Sequence, residues 1–158
     1  MTTQTIKVGI CGLGTVGQGV IALLSEGGDV LSNRVGGTIE LVHVATRTPK
    51  PEVDTLGARD SRDVFDVARD PNVDVLIELI GGTTVAKELV VEALNQGKHV
   101  VTANKALLAD HGDELFTLAE SKGVALRFEA AVAGGIPVIE AVKTSLAGNH
   151  VSSVAGII

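Results

Sequence analysis

Aromatic residues are nearly absent: three Phe and no Trp or Tyr stand among 158 residues. A surface with so few rings offers little for bases to stack on. A cationic surplus is missing as well, since 13 Lys plus Arg face 19 Asp plus Glu and the formal net charge is −6. That field repels polyanions and no compact basic block offsets it, so nucleic acid is not an expected partner. The single cysteine, Cys11, cannot close an internal disulfide, which removes the stapled secreted class and fits a reducing cytoplasm. An uninterrupted apolar run long enough for a bilayer is also lacking. Residues 8–25 are uncharged, yet glycines at 9, 12, 14, 17 and 19 break the stretch. Such glycine density suits a backbone turn that approaches a ligand better than a signal core or a lipid-facing helix, and no membrane partner is expected.

What the chain does have is aliphatic bulk, 45% hydrophobic residues drawn mostly from Val, Leu, Ile and Ala, in a length suited to one domain over residues 1–158. Short continuous apolar runs alternate with longer helical patterns. Strands are expected at 6–11, 39–45, 73–80, 99–103 and 125–130, with a last one near 151–158. Helices are expected at 16–24, 62–69, 85–96, 112–122 and 137–146. This alternation predicts a doubly wound α/β fold, a mostly parallel sheet with right-handed crossovers and helices on both faces. Gly97 and Gly123 punctuate helix ends, and Asp110 or Asp113 offers N-cap chemistry for the fourth helix. Residues 26–37 read as the most mobile surface loop and 48–60 as a second.

The sharpest local signal is Gly12-Leu13-Gly14-Thr15-Val16-Gly17, placed after the first apolar run and opening a helix. In that context the spacing is a Rossmann-like dinucleotide fingerprint. Gly12 permits the tight turn, Gly14 lets a pyrophosphate approach the backbone, and Gly17 lets the helix pack on the sheet. Amides at the helix start, those of Thr15 and Val16 included, would hold the anion. After the second strand comes Ala45-Thr46-Arg47, with no carboxylate until Glu52. NAD-selective sites place an acid there, whereas Arg47 could pair with a 2′-phosphate, so NADP(H) is favoured and NAD(H) is the alternative. Arg47 as an ordinary solvated charge fits the sequence equally well. Lys50 and Arg59 could assist, but nothing in the sequence places them.

Ligands of open α/β sheets gather at the carboxyl ends of strands. Gly81-Gly82-Thr83 there would leave room for a nicotinamide ring or its ribose, Asn104-Lys105 would bring an ammonium to the same crevice, and 129–137 form a small-residue loop starting at Glu129. Four ordered blocks, at 12–17, 74–82, 97–108 and 129–137, together resemble the homoserine dehydrogenases. The resemblance implies reversible NAD(P)-dependent interconversion of L-aspartate 4-semialdehyde and L-homoserine, small-molecule substrates of a threonine, methionine and isoleucine route. It implies that Lys105 is catalytic, a positive charge beside nicotinamide and substrate, although a loop lysine taken alone is usually just solvated. It also implies a sodium site at Glu129 and the backbone carbonyls of Val132, Gly134 and Ile136, an oxygen set that suits a hard ion. Without the resemblance, the same segment reads equally as a Gly-rich turn. A homo-oligomer is implied for the full-length enzyme.

Other candidates read as structural. Cys11 has no neighbouring base, the four histidines show no metal-ligand spacing, and Glu78 is either functional or a buried carboxylate paired with backbone donors. Family members carry a substrate and dimerisation domain beyond the cofactor domain, and this sequence ends at Gly156-Ile157-Ile158. The expectation is a cofactor-binding portion, cut short or naturally independent, that takes up cofactor and turns over little or no homoserine. A non-catalytic dinucleotide sensor and a dehydrogenase for another amino-acid-derived substrate are the competing readings.

Overall fold

The computed structural model describes residues 4–153 and 155. The first apolar run forms β1 (Gln4–Cys11), and the glycine turn leads into α1 (Thr15–Glu26). Next comes α2 (Gly28–Val35), where a mobile loop was the expectation. Its polar composition hides the helix from a periodicity reading, but Asp29 in the first turn and Arg34 in the last complement the helix dipole, and Gly36 at φ +67° ends it. Strand β2 (Gly37–Ala45) follows. The second expected loop contains the start of β3 (Arg59–Ser61), three polar residues made into a strand by parallel pairing with His43–Ala45. Asp63 caps α3 (Val64–Arg69) by accepting from Phe65 N at 2.9 Å.

Strand β4 (Val75–Glu78) is shorter at both ends than expected, and α4 (Thr84–Asn95) matches its pattern closely. After β5 (His99–Thr102), α5 (Lys105–Lys122) begins a full two turns before Gly112. The cap is Asn104, whose Oδ1 accepts from Leu107 N at 3.1 Å, not Asp110 or Asp113. Gly112 lies inside the helix because its missing side chain leaves space for Phe116, a ring atom of which lies 3.4 Å from where a Cβ would stand. The expected strand at 125–130 is only β6 (Leu126–Arg127), followed by a 3-10 turn at Glu129–Ala131. A short helix, α6 (Val138–Glu140), continues as a π-helical turn at Ala141–Ser145. Val151, Ser152, Ser153 and Ala155 form no strand, and the rest of the last expected strand lies outside the described residues.

The six strands run in the order β3-β2-β1-β4-β5-β6, every neighbouring pair parallel. Side-chain alternation divides the core between the two faces of the sheet. Val8, Ile10, Leu41 and Val44 pack with Ile21 of α1 on one face; Leu76, Val100 and Ala45 pack with α3, α4 and α5 on the other. This is the doubly wound Rossmann-like architecture. Leu89, Val90, Ala93 and Leu94 of α4 are wholly buried, and each large side chain so buried contributes ~1.5–3 kcal/mol. That outweighs the few tenths lost by placing β-branched Val in a helix, so packing holds α4 in place.

The amino end of the sheet closes on itself. Buried Lys98 donates from Nζ to the carbonyls of Asp70 at 2.6 Å and Val73 at 2.7 Å. Burial pushes that ammonium's pKa down, against the pull of the Asp70 and Asp74 carboxylates. Asp74 exchanges bonds with the Lys7 backbone at 2.8 and 2.9 Å. His43, fully buried, sits 2.8 Å from Asp70 through Nδ1 and 3.2 Å from Ser61 Oγ through Nε2. Partial burial works to raise the Asp70 pKa, but hydrogen bonds from Asn72 and His43 overcome it and hold the carboxyl below its usual range. Among the described residues no buried side-chain polar atom lacks a partner.

Candidate functional site

The carboxyl end is open where β1 and β4 lie side by side. Gly12 leaves β1 at φ +104° and donates to Ala45 O at 2.8 Å, and a Cβ there would stand 2.5 Å from the Leu79 carbonyl oxygen. Only glycine satisfies both the backbone angle and the space. A Cβ at Gly17 would collide with the Gly12 carbonyl, which fixes the close packing of α1 on the turn. Gly14 is different. It is the N-cap of α1, and nothing lies within 4 Å of where its Cβ would be. No side chain caps this helix and no acid stands in its first turn, so the amides of Thr15, Val16 and Gly17 face the opening with the positive end of the helix dipole and no side-chain acceptor.

A groove of ≈ 570 Å³ opens over Gly12, Leu13 and Gly14, the turn that leads into this helix start. One wall is Leu79, Ile80, Gly81 and Val85, from the end of β4 and the start of α4. The other is Thr46, Arg47, Thr48 and Lys50 beyond β2, with Arg62 to Phe65 behind them. Arg47 therefore stands where the sequence predicts, at the end of β2 beside the groove. Lys50 joins it. Arg59 does not, because β3 turns it toward Asp70, 3.9 Å away. Arg62 was not foreseen: its guanidinium grips Asp60 at 2.6 and 3.1 Å and the Thr46 carbonyl at 3.1 Å, bracing the wall that carries Arg47. The signal that could have found it is the Asp60-x-Arg62 spacing next to a helix cap.

Beyond Gly81 lies a second cluster. Gly81 and Gly82 both adopt left-handed φ, +70° and +71°, and Thr83 is the N-cap position of α4 with no side-chain cap bond. Glu78 is fully buried, its Oε1 accepting from Ile80 N at 2.9 Å and Gly81 N at 3.3 Å. Of the two readings open to it, this is the carboxylate paired with backbone donors. Asn104 donates to the Gly82 carbonyl at 2.6 Å. Lys105 follows as the first residue of α5, exposed and with no ion pair among the described residues. Gly82, Asn104 and Lys105 are thus gathered at one end of the site, outside the lining of the groove itself. Cys11 is buried behind the turn, where desolvation and then the Glu78 and Asp63 carboxylates raise its pKa far above the ordinary thiol value. It is no nucleophile.

The 129–137 loop lies past β6. Glu129 accepts from Ile139 N and Glu140 N, each at 3.0 Å, so its carboxylate caps α6. The Ile136 carbonyl accepts from Val138 N at 2.8 Å, and Ala133 at φ +46° and Gly135 at φ +82° fold the loop tightly. Among the described residues no three His, Cys, Asp or Glu side chains form a metal cluster, and no helix is long and apolar enough to cross a membrane.

Comparison with known proteins agrees with this geometry. The family model described as "Homoserine dehydrogenase, NAD binding domain" matches residues 12–129. A homoserine dehydrogenase of Pseudomonas aeruginosa is 53% identical over 155 residues, which is 98% of this chain and 36% of that protein. One from Neisseria gonorrhoeae is 45% identical over 98% of the chain, again 36% of the relative. The crystal structure of a homoserine dehydrogenase from Thiobacillus denitrificans superposes with TM-score 0.88 at 44% identity, covering 93% of this chain and 34% of that one. The chain spans about a third of the length of the relatives it matches.

Proposed function

The chain belongs to the homoserine dehydrogenase NAD-binding-domain family, and from that premise we propose that residues 1–158 are the nicotinamide-cofactor portion of an enzyme interconverting L-aspartate 4-semialdehyde and L-homoserine. The observation that carries the reading is the uncapped start of α1 beneath Gly14, free amides and open space together at the crevice between β1 and β4. A diphosphate fits that cradle, and a side chain at position 14 would fill it. When bound, the cofactor supplies or accepts the hydride. The chain's residues orient it: Gly12, Gly14, Thr15, Val16 and Gly17 hold the diphosphate, while Gly81, Gly82, Thr83 and Asn104 frame the nicotinamide end.

Lys105 is the catalytic residue of this proposal. Its ammonium, at the N-terminus of α5 and unpaired among the described residues, would stabilise negative charge growing on the substrate oxygen. In the complete enzyme Lys105→Met is expected to lower kcat about a hundredfold while the NADPH dissociation constant stays within about twofold. An enzyme that binds NADPH but reduces no semialdehyde would overturn the reading and favour a sensor.

We further place NADP(H) ahead of NAD(H), with Arg47 as the 2′-phosphate partner and Lys50 beside it on the same wall. Arg47→Asp should shift the NADPH to NADH affinity ratio about tenfold toward NADH; an unchanged ratio removes the role. Sodium is proposed at Glu129 and the carbonyls of Val132, Gly134 and Ile136. The donors suit a hard ion, and each Glu129 oxygen, though bonded to an amide, keeps a lone pair. A melting temperature that rises with sodium but not with choline chloride supports this, and equal response to both removes it. The complete enzyme is proposed to act in the cytoplasm as a homo-oligomer on small-molecule substrates.

A further inference from the structure

Glu78, Thr102, Asn104, Gly82 and Gly81 form a closed hydrogen-bonded ring that joins the end of β4 to the start of α5. Thr102, fully buried, donates from Oγ1 to Glu78 Oε2 at 2.5 Å and accepts from Asn104 N at 3.0 Å. Asn104 Nδ2 donates to the Gly82 carbonyl at 2.6 Å, and the Gly81 amide returns to Glu78 Oε1 at 3.3 Å. Two features say the ring does more than fill the core. A wholly buried carboxylate is expensive to desolvate, and an apolar side chain of similar volume would pack at Glu78 without that cost. The segments it ties together are the two left-handed glycines, where a Cβ would find nothing within 4 Å, and the residue that precedes Lys105. Glycines so free of packing hold one conformation only if something fixes them.

The carboxylate also sets the direction of the bonds that run through Thr102. It accepts only, so the single hydroxyl proton of Thr102 is committed to it, and the remaining lone pairs of Oγ1 are free for Asn104 N. We propose that Glu78 and Thr102 are positioning residues of the site: the ring they close holds the Gly81-Gly82 backbone and the Lys105 end of α5 in register with the nicotinamide half of the cofactor. This rests on the dinucleotide reading given above.

The test uses purified protein and two probes, NADPH and adenosine 2′,5′-bisphosphate, which lacks the nicotinamide half. Thr102→Val keeps the shape and removes the hydroxyl, and Thr102→Ser restores it. Thr102→Val is expected to weaken NADPH about tenfold and leave the bisphosphate within about twofold, with Thr102→Ser close to the parent for both. The emission maximum of bound NADPH should shift toward that of the free form in Thr102→Val alone. Unchanged affinity for both probes, or equal weakening of both, overturns the proposal, the second result marking a general structural role. If Thr102→Val does not fold, Glu78→Gln is read by the same two criteria. A parent protein that binds neither probe sinks the dinucleotide reading itself, and this inference with it.

Discussion

The amino end of the sheet and the part of its carboxyl end beside β1 are built to opposite rules. At the amino end the polar groups are paired within the chain: Lys98 on two carbonyls, Asp74 on the Lys7 backbone, and Asp70 on His43, which reaches it from inside β2. At the carboxyl end, beside β1, the first-turn amides of α1 have no side-chain acceptor, and the residue above them has no side chain. Parallel strands put all their loops at these two ends, so one end can be sealed for stability while the other is left unsatisfied for a ligand. The difference shows that an open helix start is a choice of residues here, since Asp63 and Asn104 cap α3 and α5 at the same carboxyl end of the sheet.

The strongest way to break this contrast acts on the sealed end. Lys98→Met keeps the aliphatic stem but strips the buried Val73 carbonyl of its donor, a group worth ~1–3 kcal/mol if left unsatisfied, and leaves the Asp70 carbonyl only Val73 N at 3.1 Å. Denaturant unfolding should show a loss of about 2 kcal/mol or more, with NADPH affinity of the folded fraction unchanged. A variant that binds tenfold worse while unfolding normally would mean that the two ends are not separable.

Gly14→Val reverses the experiment. Nothing in the chain opposes the added side chain, so stability should stay within ~0.5 kcal/mol, yet NADPH binding should weaken about tenfold or more because the valine occupies the approach to the amides. Unaltered binding would show that the diphosphate does not pass over residue 14.

The smallest effect concerns acid. Asp70 titrates lower in the folded protein than an ordinary carboxyl, so its contribution is complete above the unfolded pKa and is lost as pH falls through the folded one. Below about pH 4 the stability of the parent should therefore drop more steeply than that of Asp70→Asn. Parallel curves would remove Asp70 from the sealed end's account.

Much of the open end was legible in the sequence because its signals are local. Gly12, Gly14 and Gly17 state a turn, an approach and a contact within six residues, and the strand and helix around them have strong patterns. What escaped depended on partners distant in the chain. Strand β3 has no apolar residue and exists because β2 offers an edge to pair with. Helix α2 is too short and polar to show a face, and α5 was read from its Gly112 although Gly inside a helix is tolerated where a ring packs against it. Arg62 is expected only as the first residue of a helix, and only the fold brings it to the Thr46 carbonyl. The groove likewise sets Leu79 and Ile80 on one wall against Val64 and Phe65 behind the other, residues that no spacing rule connects.

Amide resonances give the most direct measurement. In a 15N-labelled sample titrated with NADPH, an open, uncapped α1 start should give saturable shifts that are largest at Gly14, Thr15, Val16 and Gly17, with Lys98 and Asp74 still. Saturable binding whose largest shifts fall at the amino end, or no shift anywhere in folded protein, would contradict it.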